Sequence, residues 1–149
     1  MKTLATLTVL LILMHTSLVQ AANKPTPADS ATHKLTVVIG QIMKRSGKLY
    51  IGLANNESSF KDESIKSQSI DVPASGEISV TFDGLAPGRY AVRVFQDLNN
   101  NQKMDFSGQM PDEPFGFSNV TMLMGPPNFD QSSFELNESK TISIRMMEM

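Results

Sequence analysis

From Lys34 onward the apolar residues return at every second position, and that period most narrows what this chain can fold into. Leu35, Val37 and Ile39 alternate with Thr36, Val38 and Gly40, and Leu49, Ile51 and Leu53 alternate with Tyr50, Gly52 and Ala54. Successive strand residues point to opposite faces, so a period of two gathers the apolar set on one side of a β-strand; a helix needs a period near 3.6. In the clearest run Ile78, Val80 and Phe82 face one way, with Glu77, Ser79, Thr81 and Asp83 facing the other. Tyr90, Val92 and Val94 continue the pattern, with Ala91, Arg93 and Phe95 on the opposite face. The intervening Gly84-Leu85-Ala86-Pro87-Gly88 reads as a hairpin or a link between close neighbours. Shorter runs at 68–72, 134–136 and 142–146 bring the total to about seven strands, without a convincing amphipathic helix. The expected fold is all-β: an antiparallel two-sheet sandwich of about seven strands, with a closed barrel as its main rival.

Residues 1–22 have a different pattern. Lys2 is followed by an apolar run from 4 to 19 and by Val19-Gln20-Ala21, the charge, greasy stretch and small-residue site of a secretory signal peptide. The run contains Thr6, Thr8, His15, Thr16 and Ser17, and is shorter than the roughly 20 apolar residues that cross a bilayer. The expectation is an exported protein, periplasmic or secreted, with no membrane span after signal cleavage. Residues 23–33, with Pro25 and Pro27 among small polar residues, read as a flexible leader. Residues 34–149 are then a single sandwich domain.

Composition removes several functions. Thirteen basic residues against fifteen acidic ones leave no positive excess for nucleic acid. Cysteine is absent, which excludes disulfides, thiolate metal sites and a cysteine nucleophile. Of two histidines, His15 lies in the signal region and His33 at the edge of the leader, so a Ser/His/Asp triad has no base to use. The ten methionines, Met122 and Met124 on a strand-like edge among them, read as adaptable packing. No enzyme is expected.

The segment 97–120 breaks the alternation, and a long non-periodic segment in a small domain is where function is sought. Asp97, Asn99, Asn101 and Asp105 carry side-chain oxygens at positions one, three, five and nine, and Lys103 can lend a main-chain carbonyl at seven. This spacing resembles the first nine positions of an EF-hand, whose coil converges alternate oxygens on Ca²⁺. The sixth position holds Gln102 instead of glycine, and the twelfth Gly108 instead of glutamate. Two readings stand: a Ca²⁺ site, which Asp112 or Glu113 completes by folding back, or a loop in which asparagines bond their own backbone. Farther on, Asp112, Glu113, Phe115 and Phe117 on a proline-stiffened stretch form a candidate binding surface. The plainer alternative has both phenylalanines plugging one end of the sandwich.

Gly88-Arg89-Tyr90-Ala91-Val92, the Asp97-to-Asp105 stretch, Pro111-x-Glu113-Pro114-x-Gly116-Phe117-Ser118-Asn119 and Pro127-x-Phe129 occur in the order seen in DUF2141, a family of uncharacterised exported bacterial proteins that the mature domain resembles. The resemblance implies a prealbumin-like (transthyretin-like) β-sandwich, similar to the B-type repeats of Gram-positive surface adhesins, in which a like Asp/Asn loop can bind calcium. By that likeness Asp97, Asn99, Asn101 and Asp105 would be ligands, with the carbonyl of Lys103. The family's loop commonly has glycine where Gln102 stands and histidine where Gln96 stands. The expected function is an exported, non-enzymatic binding or interaction module for an unknown protein, glycan or small molecule. The runner-up is a carrier of a small apolar ligand, held between the sheets or at a dimer interface. An enzyme comes third and requires a cleft lined by Asp112, Glu113 and Arg89 or Arg93.

Overall fold

A computed structural model describes residues 32–148. The expected signal peptide and nearly all of the leader lie outside the described residues. The strands are β1 (His33–Gly40), β2 (Lys48–Ala54), β3 (Lys66–Asp71), β4 (Ile78–Leu85), β5 (Gly88–Asp97), β6 (Phe106–Ser107), β7 (Met110–Pro111), β8 (Phe115–Phe117), β9 (Phe134–Leu136) and β10 (Lys140–Arg145). Two short helices, α1 (Glu57–Lys61) and α2 (Phe129–Ser132), lie between them. One sheet has the order β10-β1-β4; the other runs β3-β2-β5-β8, with β9 paired to the first residues of β5. The fold is an all-β sandwich. The seven strands expected from alternation are β1 to β5, β9 and β10.

Leu35, Val37 and Ile39 of one sheet meet Leu49, Ile51, Leu53, Val92 and Val94 of the other, with Phe82 and Ile144 filling the space between. Each such aliphatic side chain contributes about 1.5–3 kcal/mol when withdrawn from water, and this burial holds the layers together. Gly116 of β8 lies where a Cβ would stand 2.6 Å from the carbonyl oxygen of Arg145, so only glycine allows the sheets to approach there. Phe115 and Met147 exchange main-chain hydrogen bonds just beyond and join the two sheets along one side. On the opposite side Lys66 Nζ and Gln68 Nε2 donate to the carbonyls of Asp83 and Thr81. Side chains, not a ladder, close that flank, and the molecule is a sandwich and not a barrel.

The structure corrects four expectations. First, β1 and β10 run parallel, from Leu35 opposite Lys140 to Gly40 opposite Arg145. Strands from the two ends of the domain have the whole chain as their connection, so the tight turn that favours antiparallel neighbours does not constrain them. Second, 84–88 is not a hairpin: β4 pairs with β1 while β5 pairs with β2, and the connector crosses between sheets. Tyr90 Oη donates to the carbonyl of Ala86 at 2.9 Å and pins that crossing. Third, two helices exist. They are too short to show a period, and their signal lies in their caps: Asn56 accepts from the Ser59 amide and Asn128 from the Gln131 amide. Fourth, the segment 97–120 contains three small strands, and Met122 and Met124 lie on no strand and are exposed.

Candidate functional site

The outer face of the five-stranded sheet carries the opposite half of the alternation. It bears Tyr50, Gly52 and Ala54 from β2, Ala91, Arg93 and Phe95 from β5, and Phe115 and Phe117 from β8, aligned by the register that sets Phe95 against Phe115 and Arg93 against Phe117. At one end α1 and α2 cover this face. Phe60 and Phe129 pack onto Ala54 and Ala91, whose small side chains make room, and Phe117 closes against Phe60 at 5.8 Å between ring centres. Arg93 secures that cover by donating to the carbonyls of Phe60, Lys61 and Asp62 at the end of α1. Partial burial lowers the Arg93 pKa from its ordinary value, opposed by the nearby Asp62 charge. The Glu57 carboxylate bonds Lys61 and the Phe129 amide, ties α1 to α2, and is held below its ordinary pKa by both donors, Lys61 foremost.

Past Arg93 the same face opens into a groove of about 520 Å³. Tyr50 and Phe95 stack in it at 5.0 Å, and Met104 and Phe106 stand along its wall. A second lobe of about 690 Å³ shares Phe106, Phe115 and Phe117 with the first, and lies against the β6–β7 ribbon and the 123–127 loop. Both volumes are in the range of small-molecule sites, about 300–1,000 Å³. Phe106, Met110, Met122 and Met124 are exposed large apolar side chains, the first two at the groove itself.

The wall is held by the asparagine-rich loop. Asp97, wholly buried, accepts from the amides of Asn101 at 3.2 Å and Gln102 at 2.8 Å. Asn99 Oδ1 takes the Asn101 amide and Asn101 Oδ1 the Lys103 amide. The side-chain amides of Asn99 and Asn101 donate to the Asp105 carboxylate at 2.7–3.0 Å. Glu113 reaches back across the base of the loop, accepting from the amides of Leu98 at 2.9 Å and Asp105 at 3.4 Å. Gln102 adopts φ of 64°, the left-handed turn for which an EF-hand uses glycine.

The candidate ligands Asp97, Asn99, Asn101 and Asp105 therefore converge, while Lys103 joins them through its amide. Every side-chain oxygen named here accepts an N–H, so a cation at Asp105 would first displace two asparagine amides. Among the described residues no three acidic or imidazole side chains gather where one ion could touch them all. The candidate surface residues separate: Asp112 is exposed and accepts from Ser107, Glu113 and Phe115 are buried, and Phe117 is half-buried. Arg93 lies at the groove, whereas Arg89 binds Asp130 and Ser133 at α2, and among the described residues neither lobe of the groove is lined by Arg89, Asp112 or Glu113. Sequence reasoning missed Tyr50, Phe95, Met104 and Phe106. The available signal was Phe95, an aromatic on a strand face otherwise read as outward.

The match to known families covers most of the sandwich: residues 37–144 fit the family described as "Uncharacterized protein conserved in bacteria (DUF2141)". The chain belongs to the DUF2141 family. That match runs from β1 to β10 and so takes in the loop, the groove and both helices of this DUF2141 domain. No curated protein and no solved structure matches it. Among the described residues no helix is long and apolar enough to cross a membrane.

Proposed function

We propose that this DUF2141 domain is an exported, non-catalytic binding module whose outer-face groove takes a small apolar or aromatic ligand. The carrying observation is the groove itself: a row of aromatic side chains on a rigid sheet, walled by a hydrogen-bonded loop and rimmed by exposed Phe106 and Met110. A sheet face of this kind ordinarily carries polar side chains, and an open apolar concavity of several hundred Å³ is the usual form of a ligand site. The space between the sheets is filled by aliphatic side chains together with Phe82 and Tyr90, which favours the outer face over the interior as the place for a carried ligand. Export rests on the sequence pattern of residues 1–22.

Titration with N-phenyl-1-naphthylamine, a neutral fluorophore that brightens in apolar sites, tests this. The expected result is saturable brightening that Phe106→Asp weakens at least five-fold. Absence of saturation, or equal brightening in the variant, would contradict the reading.

A second reading adds calcium to the loop, favoured by the EF-hand-like turn in which Asp97 holds the fifth and sixth amides and Gln102 takes the positive φ. On that reading millimolar calcium raises the thermal midpoint of the native domain but not of Asp105→Ala, because an ion that binds only the folded state stabilises it. An unchanged midpoint leaves the loop held by its own amides.

A further inference from the structure

Charge is unevenly placed along the groove. The first lobe is lined by Lys61 and Arg93 and, among the described residues, by no aspartate or glutamate. The second lobe has, among the described residues, no charged residue in its lining. The chain as a whole has fifteen acidic and thirteen basic residues, so its composition supplies no excess of cations. We infer that the groove's ligand is an amphipathic anion, an acyl or aryl chain ending in a carboxylate, with its head at Lys61 and Arg93 and its tail in the uncharged lobe.

The two cations have different parts. Arg93 is half-buried, makes no ion pair with a carboxylate among the described residues, and spends its N–H groups on main-chain carbonyls and Ser64. It therefore acts on a ligand as a fixed positive charge at the helix-covered end of the groove, where reduced solvent screening extends its reach. Lys61 pairs with Glu57 at 2.9 Å, but the Lys61 side chain is largely in water and that of Glu57 about half exposed, and a pair open to solvent is weak enough for the ammonium to turn to another anion. Glu57 and Asp62 are the acids that face the two cations, and neither lines the groove. A neutral ligand would leave the charge asymmetry unused, and a cationic one would meet two like charges.

The inference rests on the groove reading, and displacement of bound naphthylamine by octanoate, octanol and octylamine separates the two. These probes share a tail and differ in head charge. Octanoate is expected to displace the dye at a concentration at least about ten-fold below octanol, with octylamine weakest. Lys61→Gln should raise the octanoate concentration toward that of octanol; it removes one charge without setting two carboxylates against each other on α1, and Arg93 still holds α1 through main-chain carbonyls. Equal displacement by octanoate and octanol, or an octanoate preference untouched by Lys61→Gln, overturns the anion inference while the groove reading stands. A dye that never binds overturns both.

Discussion

The two faces of the five-stranded sheet follow different rules. On the inner face Leu49, Ile51, Leu53, Val92 and Val94 are buried by the opposite sheet, in a layer built almost entirely of aliphatic residues. On the outer face Tyr50, Phe95, Phe115 and Phe117 form an aromatic layer, covered at one end by two short helices and open at the other. Burial on the inner face comes from the sheet-forming pattern itself. Burial on the outer face depends on pieces brought from far along the chain: Arg93 gripping α1, Glu57 holding the Phe129 amide, Glu113 stapling the loop. The inner face is the fold's source of stability, and the outer face is where that stability supports a site.

Truncating one side chain on each face separates the two roles. Leu53→Ala should cost about 3 kcal/mol in urea unfolding, because it leaves a cavity between packed sheets. Phe106→Ala should change stability by less than about 0.5 kcal/mol while reducing naphthylamine binding. Similar losses in the two variants would mean that the faces are not divided in this way. A smaller effect is expected at their junction, where Asp97 is buried beneath the loop. Asp97→Ala should lower stability by about 2 kcal/mol through two orphaned amides, and should weaken dye binding as the wall loosens. Loss of stability with binding unaffected would detach the loop from the groove. The smallest effect sharpens the picture: Gln102→Gly removes a left-handed strain of about 1 kcal/mol and should raise the midpoint by a degree or more. A fall would show that the Gln102 side chain contributes more than its backbone costs.

How much was legible in the sequence divides along the same line. Period-two alternation placed Leu35, Ile51, Phe82 and Val92 correctly in the interior, because a strand with one buried face must show that period. The pairing was less legible. A parallel partner for β1 and a sheet-crossing connector after Leu85 are decided by packing over the whole domain, and no local signal distinguishes them. At the site, the convergence of Asp97, Asn99, Asn101 and Asp105 followed from their spacing in a tight coil. That Glu113 and not Asp112 folds back did not, since either could reach and only the β8 register turns one inward. The aromatic groove was hidden because its parts come from β2, β5, β8 and the loop, and become neighbours only when the sheet forms.

Amide chemical-shift titration with a neutral apolar probe shows which face of the folded domain takes the ligand. Octanol is expected to move the resonances of Gly52, Gln102, Phe106, Gly116 and Phe117 and to leave those of β1 and β4 in place. Shifts spread through Val37, Val80 and Phe82, or confined to a surface away from the aromatic row, would contradict the groove reading.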